Sequence, residues 1–564
     1  MQKPARSKGV PRYCSLLKKK ILPKNHIDAN CAPLLRAGFC ILFIKKFMRT
    51  KTPTKIFFLL CVATILIVLA QPAKSQTSET VLAPKLGCSD LRALTGYEFS
   101  IESATLVPAS ADAPGYCRVR GLIQPEIQFE VSLPVEWNHR FYMFGNGGYA
   151  GESLEAANRI GQRHGALRKG FVVAQTNTGH DAMTEMGGTF ALNRQKLLDY
   201  AFRSLHTTAE TGKRIAEAYY GSRPTRSYFE GCSTGGRQAL ILAQRFPADF
   251  DGIVAGAPVL NFSGTMTSYA YRTQAFAAAP IAYAKLKMLA EKIYANCDAK
   301  DGLKDGLIDD PRRCDFRPSR DLPKCAEGAD NTDCFTAAQI GALEKFYGDV
   351  PSNGQRYFPG WPLGVEVAGP NGRSGWDNWI VNEKGPTSIS VNFSENFFRY
   401  LAFPEKNPKY ELSSFNFEQD VKKLAWIHGV LDATDTDLSS FKKRGGKLLM
   451  YFGWADPALN AQMGVDYYES VTAKMGATTP EFFRLFMVPG MFHCGGGVGC
   501  SSFDKLTPLL QWVEHGTNPD HIVGARIVDG KTDRTRPLCP YPQVAKYKGA
   551  GSTDDAQNFV CGSR

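Results

Sequence analysis

From about residue 98 to residue 261 the hydrophobic positions follow two rhythms, and after residue 440 the same rhythms return. Short apolar runs with β-branched and aromatic residues predict strands at Phe129-Glu-Val-Ser-Leu133, Arg140-Phe-Tyr-Met-Phe144 and Gly170-Phe-Val-Val-Ala-Gln175. Helical spacing follows over 198–219, with Tyr200, Ala201, Leu205, Ala209, Ile215, Ala218 and Tyr219 on one face. A strand at Ser227–Glu230 leads into Gly231-Cys-Ser-Thr-Gly-Gly236, and a helix bearing Ala239, Leu240, Leu242, Ala243 and Phe246 leaves it. Gly252–Gly256 is the next strand, and Gly446–Phe452, a helical stretch at 458–475 and Phe482–Val488 complete the series. Strand and helix in alternation predict an α/β fold, a mostly parallel sheet with helices on both faces. Between 262 and 440 the alternation stops, and the chain becomes aromatic, cysteine-bearing and rich in Gly, Pro and Asp. The expected organisation is an N-terminal segment at 1–75, a first sheet part at 76–261, an inserted lid domain at 262–440 and a second sheet part at 441–564. No internal repeat interrupts this order.

The formal charge of +13 suggests a polyanionic partner until its location is considered. Residues 1–75 carry fifteen Lys and Arg against the single acid Asp28, so the rest of the chain has a net charge of −1. Nucleic acid therefore has no electrostatic claim on the body of the protein. Within the basic segment, Met48 opens a short cationic stretch, followed by the apolar run Ile56–Ala70 and then Gln71-Pro-Ala-Lys-Ser75. That is the form of a signal peptide cut near Ala73–Ser75, with Met48 as the natural start. The apolar run is short for a membrane span, so no membrane attachment is expected after cleavage, and an uncleaved anchor is the alternative. Cys61 lacks the small residues that would precede a lipoprotein cysteine. Eleven cysteines remain beyond residue 75 without a CxxC pair, which points to disulfides in a secreted or periplasmic protein and leaves one thiol over.

Gly231-Cys-Ser-Thr-Gly235 matches G-x-S-x-G where a predicted strand meets a predicted helix. That context makes Ser233 the candidate nucleophile, lifted above the sheet on a sharp turn. An alkyl hydroxyl needs a base and an orienter, arranged in this fold in the order Ser, acid, His. Of His428, His493, His515 and His521, only His493 directly follows a clear apolar strand. Asp456 ends the preceding strand and becomes the orienter; its alternative is a helix N-cap before Pro457. The oxyanion donors expected for this arrangement are the backbone N–H of Thr234 and that of Gly148, in the glycine turn Gly145–Gly151. Cys232 and Cys494 flank the nucleophile and the base, so a Ser233–His493 hydrogen bond would draw them together as a disulfide.

With these residues in place the chain resembles the tannase and feruloyl esterase family, which also includes enzymes that cleave a terephthalate monoester. The resemblance rests on Gly145–Gly151, Thr176-Asn-Thr-Gly-His180, Gly231–Gln238, Gly252–Pro258, Gly445-Gly-Lys447, Gly453-Trp-Ala-Asp456, Val488–Cys494 and Arg536–Pro542. It implies the α/β-hydrolase fold, a Ser233–Asp456–His493 triad and hydrolysis of small esters of aromatic acids. It further implies the pairs Cys88–Cys117, Cys297–Cys314, Cys325–Cys334 and Cys539–Cys561, with Cys500 free. The family also carries a structural calcium ion in its lid. Here Asp298, Asp301 and Asp305 would supply carboxylates and Leu303 and Leu307 carbonyl oxygens, a hard-oxygen set suited to Ca²⁺ and unlike zinc. Trp376, Trp379, Phe393, Phe397 and Phe398 are candidates for stacking on an aromatic acid, and Arg373 or Arg399 for meeting a carboxylate or phenol. The competing readings are a lipase or peptidase on the same fold and an inactive secreted binding protein. Oligomeric state and the particular ester are not legible.

Overall fold

The computed structural model describes residues 81–382 and 387–563. The expected signal peptide, with its start at Met48 and its cut near Ala73–Ser75, and Cys61 lie outside the described residues. Nine strands form one sheet, antiparallel at one edge and parallel through the rest. The strands β1 (Phe99–Val107), β2 (Tyr116–Ile123) and β3 (Ile127–Pro134) form an antiparallel meander, and β3 pairs antiparallel with β5 (Val172–Thr176). From β5 onward the sheet is parallel, through β4 (Arg140–Phe144), β6 (Arg226–Cys232), β7 (Gly252–Gly256), β10 (Lys447–Gly453) and β11 (Phe483–Val488). This is the mostly parallel α/β sheet that the alternating pattern predicts, in the α/β-hydrolase architecture that the family resemblance implies.

The parallel strands are apolar throughout because both sheet faces are covered. Successive residues go to opposite sides: Phe141 and Met143 join the larger core, while Tyr142 and Phe144 join the smaller one. On the first face lie the helices Ser204–Tyr220, Thr234–Arg245 and Gln462–Met475, with Leu205, Leu242 and Val465 buried against it. On the second lie Ala157–Leu167 and Leu506–His515, which bury Leu167, Leu509 and Trp512. At about 25 cal/mol per Å² of apolar surface, each such side chain contributes on the order of 2 kcal/mol.

Between β7 and β10 lies the segment expected as a lid, which starts with the helix Phe262–Ala278, whose N-cap Asn261 accepts a hydrogen bond from Gly264 N. It continues through the helices Leu286–Cys297 and Ala337–Tyr347, a small hairpin of β8 (Val350–Ser352) and β9 (Gln355–Phe358), and the helix Ile389–Asn396. Its aromatic residues Phe346, Trp361 and Trp376 share a core with the sheet face beneath them. Two hairpins that the sequence reading did not resolve close the chain, β12 (Ile522–Val528) with β13 (Lys531–Leu538) and β14 (Val544–Tyr547) with β15 (Phe559–Gly562).

Two local expectations need correction. The helix expected over 458–475 begins at Gln462, because Pro457 and the bonds made by Asp456 hold 456–461 in turns. The single helix expected over 198–219 is a short helix Arg194–Leu198, a wide π turn Asp199–Arg203 and the helix Ser204–Tyr220. All five expected disulfides are present, with Cys500 free and buried. Among the described residues no helix is long and apolar enough to cross a membrane.

Candidate active site

Ser233 stands between the end of β6 and the helix Thr234–Arg245 with φ 63° and ψ −120°, a region that costs a non-glycine residue energy. Its surroundings enforce that turn. Ser233 N donates to Gly256 O at 3.0 Å, while Ser233 O accepts from Arg237 N at 3.0 Å and from Val259 N at 3.3 Å. The flanking glycines allow the close approach: a Cβ on Gly231 would lie 2.4 Å from Gly235 O, and one on Gly236 would lie 2.3 Å from Gly256 O. The hydroxyl carrier is thereby raised at the N-terminus of a helix, where partial positive charge gathers.

His493 and Asp456 come together from the ends of two neighbouring strands, β11 and β10. His493 Nδ1 lies 2.8 Å from Asp456 Oδ2, with the carboxylate side chain fully buried and the imidazole 15 % exposed. The other carboxylate oxygen accepts from Ala458 N at 2.8 Å and Leu459 N at 2.9 Å, so Asp456 is fixed before it orients anything. It caps a turn, not the helix that starts at Gln462, which corrects its alternative reading. Trp361 of the lid donates Nε1–H to the Asp456 carbonyl at 3.0 Å. The Cys232–Cys494 disulfide spans 6.0 Å between Cα atoms and joins the residue before Ser233 to the residue after His493. No direct Ser233–His493 hydrogen bond exists among the described residues.

The glycine turn after β4 is held from three directions. Asn146 N donates to Gln238 Oε1 at 2.9 Å, Gly147 N donates to Glu152 Oε1 at 2.6 Å, and Ala150 N donates to Gly147 O at 2.7 Å. Gly148 N–H is left without a protein acceptor among the described residues, and Thr234 N–H is one of the first-turn donors that a helix cannot use. The Thr234 hydroxyl donates to Gly148 O at 2.5 Å, which brings the two expected oxyanion donors side by side. Sequence reasoning missed the supporting residues Glu152, Tyr200, Gln238 and Trp361. A signal existed for Gln238, an uncharged polar residue on the buried face of the helix behind the elbow.

Of the lid aromatics, Trp379 and Phe393 reach the site and are partly exposed. Trp379 meets the His493 ring edge-on at 5.6 Å and stacks on Phe393 at 6.3 Å, while a Cβ on Gly148 would lie 3.4 Å from Phe393. Trp376, Phe397 and Phe398 are instead buried in the lid core, which corrects the expectation that they stack on a substrate. Arg373 pairs with Asp377 and Arg399 with Glu395. His180, from the motif after β5, stacks on Phe190 at 4.1 Å behind the glycine turn, and burial lowers its pKa, so it stays neutral.

The acidic lid loop is bracketed by the Cys297–Cys314 disulfide. Gly302 and Gly306 adopt φ of +97° and +77°, letting the chain wrap back so that Asp305 N and Gly306 N both reach Asp298 Oδ1 at 3.1 Å. Asp301, Leu303, Asp305, Leu307 and Asp309 line one small cavity of about 40 Å³. Burial, followed by the charges of Asp305 and Asp298, raises the Asp301 pKa, as expected where carboxylates crowd together. Asp305 also meets Arg536 at 2.7 Å, and among the described residues no three acidic, His or Cys side chains are already converged as a metal centre. The Asp298, Asp301 and Asp305 carboxylates are turned to the loop's own amides and to Arg536, and with the Leu303 and Leu307 carbonyls they are the hard-oxygen groups that would hold a divalent cation. Leu307 also lies against the His493 loop, since a Cβ on Gly490 would stand 2.9 Å from its Cδ2.

Residues 111–562 match the family described as tannase and feruloyl esterase. A mono(2-hydroxyethyl) terephthalate hydrolase from Piscinibacter sakaiensis is 34 % identical over 85 % of this chain and 92 % of its own length. The crystal structure of feruloyl esterase B from Aspergillus oryzae superposes with a TM-score of 0.73 at 28 % identity, covering 84 % of this chain and 99 % of that one. A tannin acyl hydrolase from Aspergillus niger shares the fold with a TM-score of 0.67 at 21 % identity, over 86 % and 96 % of the two chains.

Proposed function

The chain belongs to the tannase and feruloyl esterase family and is a carboxylic-ester hydrolase, and we propose that it acts on esters of aromatic acids through an acyl-enzyme on Ser233. The observation that carries this reading is the fixed Asp456–His493 pair, tied to the serine elbow by the Cys232–Cys494 disulfide. His493 Nε2 takes the Ser233 proton as Oγ attacks the ester carbonyl, and Asp456 holds the imidazole in the tautomer that can accept it. The N–H groups of Gly148 and Thr234 receive the negative charge on the carbonyl oxygen. His493 returns the proton to the leaving alcohol, and a water molecule deprotonated by the same imidazole releases the acid.

Trp379 and Phe393 supply apolar aromatic surface beside His493 and Gly148, which suits an aromatic acyl group of gallate, ferulate or terephthalate type. The five disulfides support a secreted or periplasmic site of action. Calcium in the lid loop, held by Asp298, Asp301, Asp305 and the carbonyls of Leu303 and Leu307, would contribute folding stability. The test is hydrolysis of methyl gallate, methyl ferulate and a terephthalate monoester by the wild type and Ser233→Ala. Turnover of at least one ester by the wild type and none by the variant is expected. Appreciable hydrolysis by purified Ser233→Ala would overturn the assignment.

A further inference from the structure

We propose that the Thr234 hydroxyl and the Tyr200 phenol are positioning groups that hold the Gly148 carbonyl and thereby set the oxyanion hole. This rests on the serine-hydrolase reading above and adds a duty for two side chains that the reading does not use. Gly148 sits between two peptide planes, and its φ of +51° belongs to a region that glycine enters and leaves with little resistance. The plane before it is pinned because Gly147 O accepts from Ala150 N, which turns the Gly148 N–H away from the interior of the turn. The plane after it carries Gly148 O, which accepts from Thr234 Oγ1 at 2.5 Å and from the Tyr200 hydroxyl at 3.3 Å. With both planes held, the one rotatable residue between them cannot swing its N–H off the site.

The second holder is itself braced. Tyr200 lies on the π turn Asp199–Arg203, whose wide winding frees carbonyl groups that a regular helix would use. Arg237, on the helix that follows Ser233, donates to Tyr200 O at 3.2 Å and Ala201 O at 3.1 Å, and its guanidinium lies 4.9 Å from the Tyr200 ring centroid. Arg237 and Tyr200 are both fully buried. The elbow helix therefore reaches the Gly148 carbonyl twice, directly through Thr234 and indirectly through Arg237 and Tyr200. Thr234 has two roles: its N–H points at the developing oxyanion, and its hydroxyl fixes the partner donor.

The experiment compares Thr234→Val, Thr234→Ser and Tyr200→Phe by ester turnover and by labelling with an alkyl p-nitrophenyl phosphonate, which builds a tetrahedral oxyanion on Ser233 as p-nitrophenolate leaves. Thr234→Val should lower kcat and the labelling rate together by about 10- to 100-fold with KM changed less than about 2-fold, a fraction of what losing a whole donor costs. Thr234→Ser should recover most of that loss, and Tyr200→Phe should lose about 3- to 10-fold in both readouts. Labelling of Thr234→Val at the wild-type rate, or Thr234→Ser as slow as Thr234→Val, overturns the inference. If Thr234→Val does not fold, an unaltered labelling rate in Tyr200→Phe overturns it instead. Labelling that persists in Ser233→Ala would strike the serine reading itself, so the two failures are distinguishable.

Discussion

Two regions of this molecule bring together a serine, an aspartate and a histidine. At the strand ends Asp456 meets His493 Nδ1 at 2.8 Å, and at the base of the lid Asp432 meets His428 Nδ1 at 2.7 Å. The difference lies in what else the carboxylate does. Asp432 Oδ2 also accepts from the Ser263 hydroxyl at 2.6 Å while Oδ1 accepts from Ser263 N at 2.9 Å, so the serine is consumed as a tie to the first turn of the helix Phe262–Ala278. Asp456 spends its second oxygen on backbone amides and leaves its serine to a separate, strained elbow. The aspartate–histidine distances are alike in the two places, but only the Asp456 pair leaves its serine untied by the carboxylate, as the proposed acyl-enzyme reading requires. The Asp432 cluster joins the end of the helix Ala425–Leu431 to the start of the helix Phe262–Ala278, and so pins the two ends of the lid together.

The most direct way to break this comparison is to replace each carboxylate by its amide. Asp456→Asn should lower kcat by about 10³- to 10⁴-fold with a near-normal circular dichroism spectrum, because the amide favours the wrong imidazole tautomer. Asp432→Asn should leave kcat per folded molecule within about 2-fold and cost about 1–3 kcal/mol in urea unfolding, the price of weakening a buried charge-assisted pair of bonds. Equal kinetic losses in both variants would erase the distinction.

Removing the tether sharpens the comparison further. A Cys232→Ala, Cys494→Ala double variant should lose about 100-fold in kcat/KM, since displacement of the His loop by about 1 Å is enough for such a loss. Its stability should fall by up to about 5 kcal/mol, because the bond closes a long loop that includes the whole lid. Peptide mapping of active enzyme without reduction should recover Cys232 and Cys494 as one linked peptide.

Chelation tests the acidic lid loop. Chelation should lower Tm by several degrees before it changes turnover at low temperature, because an ion held only by the folded loop stabilises it by mass action. An unchanged melting curve after metal analysis has shown the protein stripped would count against the calcium loop.

The smallest effect belongs to His428. Its pKa is raised by the hydrogen bond to Asp432, and its side chain is 53 % exposed, so screening limits the gain to about 0.5 kcal/mol. A raised histidine pKa stabilises fully below the ordinary value near 6.5 and loses that contribution as pH rises through the folded value. His428→Gln should therefore lower Tm slightly at pH 5.5 and leave it unchanged at pH 9, with kcat unaffected at both.

Much of the parallel sheet and the candidate site was legible because each feature is local. Buried strands read as apolar runs, the elbow needs glycine at fixed offsets, and Asp456 and His493 each follow a strand directly, so sequence position stands in for position at the sheet edge. The lid offered no such rule. Its aromatic residues look alike in sequence, yet Trp376 is buried against Phe346 while Trp379 faces His493, a choice made by contacts among segments far apart in the chain. The π turn at Asp199–Arg203 keeps the hydrophobic spacing of an ordinary helix, and its freed carbonyls matter only once Arg237 arrives from another element. The nearness of Leu307 to Gly490 was equally invisible, since residues 307 and 490 meet only when the lid closes over the sheet. By itself the sequence determined the parallel strands, the elbow that carries Ser233, the placement of Asp456 and His493 at strand ends, and the cysteines that flank them, because short-range pattern and backbone sterics dictate each. Which aspartate–histidine pair has a serine free to attack, and which aromatic residues face it, only the tertiary structure decided, because those outcomes depend on side chains that share space without sharing sequence.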